Sequence, residues 1–164
     1  ENSTTPLVLD ADALNCVAKQ PEILLRKKAP IIITPHPGEM SRLTGLATPL
    51  VNAERERVAL DFAQKYGVVT VLKGAGTVIA SPNGKVLVNP TGNSGMATGG
   101  SGDVLAGMTA SILAQGASAF SSAAAAVYLH GLAGDIAAEK YGKISMLPTD
   151  LINCIPLAYK RCGF

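Results

Sequence analysis

The sequence predicts an α/β sandwich with a mostly parallel sheet, and two observations carry this prediction. Short apolar runs alternate with amphipathic helical stretches along most of the chain, which is the order expected of repeated βα units. The run Ile31–Thr34 is β-branched throughout, which is typical of a parallel strand buried on both faces. The chain has 164 residues and shows no repeat or linker-like segment, so residues 1–164 are expected to form one domain.

The first half of the chain reads as two strands, each followed by helical segments. Leu7–Asp10 is a short apolar strand, and a helix is expected from Asp12 to about Lys19. Pro21–Lys28 has the pattern of a second short helix. After the strand Ile31–Thr34, a helical turn is expected at Glu39–Leu43. This order predicts that the first two strands are parallel neighbours.

A long amphipathic helix is expected next. Thr48 as N-cap and Pro49 at the first helical position form a start signal, and apolar residues keep helical spacing until Gly67 ends the helix. The elements that follow are a buried strand, Val68–Leu72, and a hairpin of Thr77–Ala80 and Val86–Val88 around Pro82-Asn83-Gly84, with a type I′ or related turn.

The end of the chain is predicted to be helical. The segment Ser118–Tyr141 is rich in alanine, and its Gly131 and Gly134 permit close helix packing, either within the domain or against another subunit. A homo-oligomer is therefore expected. A final helix, capped by Thr149 or Asp150, is expected to be interrupted near Pro156.

Composition excludes several classes of function. The chain has 14 basic and 12 acidic residues with no basic cluster, so neither a nucleic-acid partner nor a membrane surface is expected. Aromatic residues make up 4% of the chain and tryptophan is absent, which argues against a base-stacking platform. The three cysteines are odd in number and lack metal-type spacing. We therefore expect the cysteines to be reduced thiols in a cytoplasmic protein.

The segment 89–107, NPTGNSGMATGGSGDVLAG, is the most informative part of the chain. Its first part is a glycine-rich loop, and the loop opens directly onto the apolar helix Asp103–Gln115. Glycines let backbone N–H groups approach a ligand, and a helix N-terminus favours anions, so this loop suits a polyphosphate. Asp103 at the junction either caps the helix or has a chemical task in the anion site.

Charged and polar residues follow three predicted strands. Asp10 and Asp12 follow the first, His36 and Glu39 the second, and the segment KGAGT, residues 73–77, the third. Because ligands bind beyond the carboxyl ends of parallel strands, these residues are expected to lie at one edge with the glycine loop. Each has a plain structural alternative as a cap, a turn or a rigid loop residue. Neither a P-loop motif nor the Rossmann glycine spacing is present.

These motifs resemble a known family. The glycine loop ending in G-x-G-D at a helix start is similar to the anion-hole and catalytic-base motif of the ribokinase-like superfamily. LDADALN, TPHPGEMSRLTG, VLKGAGTVI and GNSGMATGGSGDVLAG resemble the NAD(P)H-hydrate dehydratase family within it. The resemblance implies a ribokinase-like three-layer α/β/α sandwich. It also implies dehydration of the S epimer of hydrated NADH and NADPH (NADHX and NADPHX), driven by ADP or ATP, which repairs these nicotinamide nucleotides. With ADP the products are NAD(P)H, AMP and phosphate.

The resemblance also implies a role for each residue of the site. The residues implied to bind the adenine nucleotide are Lys73, Gly74, Ala75, Gly76, Thr77 and Gly102, and those implied to form the anion hole are Gly99, Gly100, Ser101 and Gly102. His36 and Asp103 would contact the hydrated cofactor, with Asp103 as the base. Glu39 would support Mg²⁺ indirectly. His36 stands where the superfamily's N-x-x-E motif has asparagine, which is usual in the dehydratase branch.

One departure concerns the start of the chain, which begins at Glu1 without an initiator methionine. The family has several βα units before LDADALN, and the chain does not contain them. We therefore expect a truncated or processed domain that a separate N-terminal segment completes, or that is inactive alone. A fused or separate NAD(P)HX epimerase domain is a further expected partner. Two other functions stay open, namely a kinase of a vitamin precursor or small alcohol and an inactive nucleotide-binding half-domain.

Overall fold

The computed structural model describes residues 2–164, and its centre is a five-stranded sheet. The strands are β1 (Leu7–Leu9), β2 (Ile31–Ile33), β3 (Val69–Leu72), β4 (Val78–Ala80) and β5 (Val86–Val88), in the spatial order β1-β2-β3-β4-β5. β1, β2 and β3 are parallel neighbours, and β4 is antiparallel to both β3 and β5. Four of these strands thus run in one direction, as the mostly parallel prediction requires.

Seven α-helices lie in the same described range. They are α1 (Asp12–Val17), α2 (Pro37–Thr44), α3 (Thr48–Ala53), α4 (Arg55–Tyr66), α5 (Ser101–Ala114), α6 (Ala119–Tyr141) and α7 (Pro148–Arg161). Short 3₁₀ helices occur at Pro21–Arg26 and Ser94–Met96. Within residues 2–164 no helix combines the length and the hydropathy that crossing a membrane requires.

Two hydrophobic cores lie on opposite faces of the sheet. Successive residues of β2 alternate between them: Ile32 packs with α5, α6 and α7, whereas Ile31 and Ile33 pack with α1 to α4. This alternation follows from the two-residue period of a strand. Because every residue of β2 is buried, the run can be apolar throughout. The predicted three-layer α/β/α arrangement is confirmed.

The helix expected between Thr48 and Gly67 is in fact two helices, so this prediction was wrong. The backbone breaks at Glu54, whose φ of −125° and ψ of 40° are not helical. Ala47 occupies the N-cap position of α3, and Thr48 is its first helical residue. The break leaves both α3 and α4 with a buried face, Val51 in α3 and Phe62 in α4. Gly67 ends α4 in a left-handed conformation, as expected.

The interruption expected near Pro156 does not occur, since α7 continues through it. Pro156 lies on the exposed face, while Leu151, Cys154 and Ala158 are buried on the other. Burial of this stripe stabilises the helix against the loss of one backbone hydrogen bond at the proline. Asp150 does cap the helix, because its Oδ2 accepts a hydrogen bond of 2.9 Å from the amide of Leu147.

The hairpin between β4 and β5 is confirmed, with a different turn from type I′. The amide of Gly84 donates to the carbonyl of Ser81, and the amide of Ser81 donates to the carbonyl of Lys85. Only Gly84 in this loop has positive φ, at 87°. This is a three-residue loop, in which a type I turn is followed by a left-handed glycine.

Candidate active site

The carboxyl ends of β1, β2 and β3 bring three charged residues together. Lys73 Nζ lies 2.6 Å from Asp10 Oδ1 and 3.9 Å from Glu39 Oε2. All three side chains are largely buried, so they interact in a medium of lower dielectric constant than water. The expectation that the strand-end residues lie at one edge is therefore met. Asp10, which the sequence had placed only as a strand-end residue, is the direct partner of Lys73.

The turn that carries Asp10 is strained. Ala11 has φ 47° and ψ −119°, and among residues 2–164 no other non-glycine residue has positive φ. Such a conformation costs on the order of 1–3 kcal/mol and persists where the surroundings impose it. The surrounding contacts are the ion pair of Asp10 with Lys73 and the start of α1 at Asp12.

His36 and Glu39 form the cap of α2. His36 Nδ1 accepts hydrogen bonds from the amides of Gly38 and Glu39, at 3.0 and 3.3 Å, and Glu39 Oε2 accepts one of 2.7 Å from the amide of His36. This reciprocal pair is a capping box with histidine in the N-cap position. Because Nδ1 accepts, the ring proton of neutral His36 is on Nε2, and the side chain is 52% exposed. His36 can thus cap the helix and still donate to a ligand.

Residues 73–77 form a loop with free amides. Gly74 has φ 145° and Gly76 has φ 62°, values that residues other than glycine rarely adopt. The four amides of residues 74–77 donate to no acceptor within the described chain, whereas the amide of Lys73 donates to the carbonyl of Pro35. Consecutive unpaired amides beside an ammonium group form a concavity suited to an anion.

The N-terminus of α5 lies against the same lysine. A Cβ placed on Gly102 would lie 3.4 Å from Lys73 Nζ and 3.8 Å from Asp10 Oδ2, so the helix approaches both side chains closely. The hydroxyl of Ser101 is buried and has no hydrogen-bond partner within residues 2–164. The unpaired amides at the N-terminus of α5 and the ammonium group of Lys73 are therefore close enough to bind the same anion.

Asp103 is the third residue of α5 and is exposed. Its carboxylate accepts no hydrogen bond from any residue of the described chain, in contrast to Asp150 at the equivalent position of α7. The helix starts two residues earlier than expected, at Ser101, with Gly100 as its N-cap. The capping interpretation of Asp103 thus lacks the hydrogen bond that it requires.

A cavity of about 530 Å³ connects the two loops. Its lining includes all of residues 73–77 together with Ser101, Gly102, Thr91 and His130. The other residues assigned to the site, which are Gly99, Gly100, Asp103, His36 and Glu39, do not line it. Lys73 joins the cavity to the charged cluster of Asp10 and Glu39.

Helix α6 is the platform on which the start of the glycine loop rests. Asp135 Oδ2 accepts from the amide of Gly92, and its Oδ1 accepts from Asn93 Nδ2, both at 2.9 Å. Thr91 Oγ1 donates to the carbonyl of Tyr128 at 2.9 Å. Asp135 was not identified from the sequence, because nothing local marks a partner 43 residues away.

The glycines of α6 have a different role from the one expected of them. A Cβ on Gly131 would lie 2.8 Å from the backbone carbonyl carbon of Thr91, and one on Gly134 would lie 2.8 Å from Met96 Cγ. The close approach is therefore made by the glycine loop, and not by another helix. These glycines let α6 form one wall of the cavity.

His130 links α6 to α5. Its Nε2 donates to the carbonyl of Ser101 at 2.9 Å, since a carbonyl can only accept. Burial lowers the pKa of His130 to about 4, and the hydrogen bond to Ser101 opposes this effect. The imidazole is therefore neutral near pH 7.

The residues present fit a magnesium ion held mainly by a ligand. Within residues 2–164 no group of three His, Cys, Asp or Glu side chains could enclose a metal. Glu39 is only 6% exposed and already accepts from the amide of His36. Mg²⁺ is commonly bound by one or two carboxylates with several waters and substrate phosphates, and this donor set agrees with that mode.

The chain is similar to known proteins in both sequence and structure. Residues 1–157 match the profile of the family described as NAD(P)H-hydrate dehydratase. The bifunctional NAD(P)H-hydrate repair enzyme Nnr of Moorella thermoacetica is 47% identical over 156 residues, which is 95% of this chain and 29% of that protein. The ADP-dependent (S)-NAD(P)H-hydrate dehydratase of Bacillus subtilis is 37% identical over 95% of this chain and 55% of its own length.

Solved structures give the same result. The crystal structure of the ADP/ATP-dependent dehydratase from Bacillus subtilis, co-crystallised with ATP and Mg²⁺, matches with a TM-score of 0.86 over 95% of this chain and 55% of that one. A ribokinase-like superfamily protein of Enterococcus faecalis is 34% identical, with a TM-score of 0.76 over 94% and 52%. The chain spans about half the length of these structures. The fold is ribokinase-like, and the chain belongs to the NAD(P)H-hydrate dehydratase family.

Proposed function

We propose that this chain carries the nucleotide site and the catalytic base of an ADP- or ATP-dependent dehydratase that converts (S)-NADHX and (S)-NADPHX to NADH and NADPH. One observation carries the proposal. Lys73, the free amides of residues 74–77 and the N-terminus of α5 meet at one cavity, and Asp103 stands exposed on that same helix end. This arrangement suits phosphoryl transfer to a hydroxyl group.

The proposed reaction turns a poor leaving group into a good one. Asp103 accepts the proton of the ring hydroxyl, the hydroxyl oxygen bonds to the terminal phosphorus of ADP, and AMP leaves. The electron pair of the ring nitrogen then expels phosphate as the C–O bond breaks, and a proton leaves the neighbouring ring carbon. General-base catalysis of this kind contributes typically ~10²–10⁴-fold.

The chain's other groups hold the phosphates in place. Lys73 and the free amides of residues 74–77 lie on one side of the cavity, and Gly102 at the start of α5 lies on the other. Loss of one such donor costs roughly 3 kcal/mol of transition-state stabilisation in comparable sites. Mg²⁺, when bound, would neutralise phosphate charge, and Glu39 would hold it through water. His36 would donate from Nε2 to the hydrated cofactor.

Asp103→Asn tests the proposal, with Asp150→Asn as its matched control. Both aspartates occupy the third position of a helix, but only Asp150 accepts a capping hydrogen bond. We expect Asp103→Asn to abolish ADP-dependent recovery of dihydronicotinamide absorbance from hydrated NADH, with ADP still bound and stability unchanged. Asp150→Asn should lower stability and keep turnover. Near-normal turnover in Asp103→Asn would show that Asp103 is not the base.

The fate of the phosphate separates the dehydratase from a kinase. A dehydratase releases AMP and phosphate in equal amounts, whereas a kinase leaves the phosphoryl group on a small alcohol. The assay is made on the full-length protein, because the chain covers 29% of the bifunctional relative and 55% of the Bacillus subtilis dehydratase. A phosphorylated product that accumulates would overturn the dehydratase assignment in favour of a kinase.

The cellular setting is part of the same proposal. Cys16, Cys154 and Cys162 are all free thiols, which suits the reducing conditions of the cytoplasm. An NAD(P)HX epimerase, fused or separate, would supply the S epimer, and relatives with the name bifunctional NAD(P)H-hydrate repair enzyme agree with fusion. A homo-oligomer is retained as a proposal that sedimentation velocity can test.

A further inference from the structure

Arg55 is bound to the carbonyl side of the loop 73–77. Its Nη2 donates to the carbonyl of Leu72 at 2.9 Å and to that of Gly76 at 3.4 Å, and its Nη1 donates to the carbonyl of Lys73 at 3.4 Å. The side chain is half-buried, and burial lowers the pKa of its guanidinium. Within residues 2–164 it pairs with no carboxylate.

The loop has few other restraints. Thr77 Oγ1 donates to the carbonyl of Gly74, the carbonyl of Thr77 accepts from the amide of Asn89, and the amide of Lys73 donates to the carbonyl of Pro35. Gly74 and Ala75 are exposed, and the glycines make the backbone easily deformed. Leu72 pairs with Val78 in the ladder of β3 and β4, which closes the base of the loop. Arg55 binds carbonyls on both sides of the loop, so one rigid planar group also restrains the residues between these paired positions.

Arg55 can bind only carbonyls of this segment, because a guanidinium donates hydrogen bonds and cannot accept them. The carbonyls of Leu72, Lys73 and Gly76 accept from Arg55, while the amides of residues 74–77 are left without an internal acceptor. A Cβ on Gly74 would lie 2.8 Å from Arg55 Nη1, so the backbone of the loop is too close to the guanidinium for any larger residue at this position.

We propose that Arg55 is a positioning residue, which holds residues 73–77 in the shape that presents their amides and Lys73 to the phosphates of the nucleotide. This inference rests on the proposed nucleotide site and deepens it. Arg55 itself does not line the cavity. Its effect is exerted before binding, by reducing the conformational freedom that the loop loses when the ligand binds.

The test uses Arg55→Met and Arg55→Lys, with Arg57→Met as the matched control. Arg57 lies two residues along α4 and pairs only with Glu54 and Asp61 on the surface. The first measurement is the NMR order parameter of the amides of residues 74–76 in the ligand-free protein. We expect values near 0.85 in the wild type and in Arg57→Met, and below about 0.6 in Arg55→Met.

The second measurement is ADP binding and turnover by the same proteins. Arg55→Met should weaken ADP binding and raise KM for ADP by about tenfold. A tenfold change corresponds to the conformational entropy lost when the backbone of roughly one residue becomes ordered. The change in kcat should be smaller. Arg55→Lys should be intermediate, because lysine keeps the positive charge but lacks the planar fork whose two Nη atoms bind separate carbonyls. A urea titration of each variant confirms that it is folded.

The outcomes separate this inference from the proposed function. Unchanged order parameters in folded Arg55→Met would overturn the positioning role, whatever the protein binds. Equal loss of order in Arg57→Met would overturn it as well. If the wild-type protein bound no ADP, the proposed function would fail, while the order parameters would still show whether Arg55 holds the loop.

Discussion

The contact between α6 and the glycine loop predicts that three glycine-to-alanine substitutions in helices will change the free energy of unfolding by different amounts. Alanine in a helix interior is favoured over glycine by about 1 kcal/mol. Gly107 in α5 is exposed, and a Cβ there would have no neighbour within 4 Å. Gly107→Ala should therefore raise the free energy of unfolding by about 1 kcal/mol, which makes it the control for the other two.

Gly131→Ala should have the opposite effect. Its Cβ would overlap Thr91 Oγ1 and lie 2.8 Å from the carbonyl carbon of Thr91, so the backbone of the loop has to move. Overpacking of this kind costs about 1–3 kcal/mol. Displacement of Thr91 also breaks its hydrogen bond to Tyr128, which costs about 1 kcal/mol. After the gain in helix propensity, a net loss of about 1–3 kcal/mol is expected.

Gly134→Ala should fall between these two variants. Its Cβ would meet the side chain of Met96, which has several rotatable bonds and can move aside. Urea unfolding followed by far-UV circular dichroism measures all three variants, and equal m-values would show that the comparison is valid. If Gly131→Ala were as stable as Gly107→Ala, the loop would not rest on α6 as described. The same two substitutions in α6 should also weaken ADP binding, since Thr91 and Met96 line the cavity.

Three further predictions follow from the site. Ala11→Gly should raise the free energy of unfolding by about 1 kcal/mol, because glycine adopts φ 47° without strain; no gain in a urea titration would argue against that strain. Lowering the pH from about 6.5 to 4 should cost roughly 3 kcal/mol through His130, since the unfolded imidazole binds a proton that the folded one, with a pKa of about 4, does not. His130→Gln retains a donor for Ser101 and should remove this component of the pH dependence, as measured by urea titrations across the range. A double-mutant cycle of Asp10→Asn and Lys73→Met should give a coupling energy of about 1–3 kcal/mol, and strict additivity would contradict the ion pair.

The sheet and the meeting of its strand ends could be predicted because they depend on local signals. Apolar runs such as Ile31–Ile33 and the direction of parallel strands place Asp10, Glu39 and Lys73 at one edge. Glycine patterns likewise located both loops. These signals lie within a few residues of one another in the sequence, so they need no knowledge of tertiary packing.

The remaining features depend on packing between distant segments. The break at Glu54 and the continuity of α7 through Pro156 are set by which faces are buried, and local preference is too weak to decide them. Arg55 reaches carbonyls 17 to 21 residues away, and Asp135 binds an amide 43 residues away. Neither residue belongs to a motif, so its partners become visible only in the folded chain.

The structure also divides the glycine loop into two parts with different tasks. The amide of Gly92 donates to Asp135, and that of Gly95 donates to Asn93 Oδ1, so the first part is used to attach the loop to α6. The amides of Gly99 and Gly100 donate to no acceptor within residues 2–164. The anion binding that we propose is therefore left to the end of the loop, where Gly102 lies beside Lys73 at the N-terminus of α5. A carboxylate attaches one end of this loop by its amides, while a guanidinium attaches the loop 73–77 by its carbonyls. The free amides of residues 74–77 and of Gly102 belong to residues that line the cavity where the phosphates are proposed to bind.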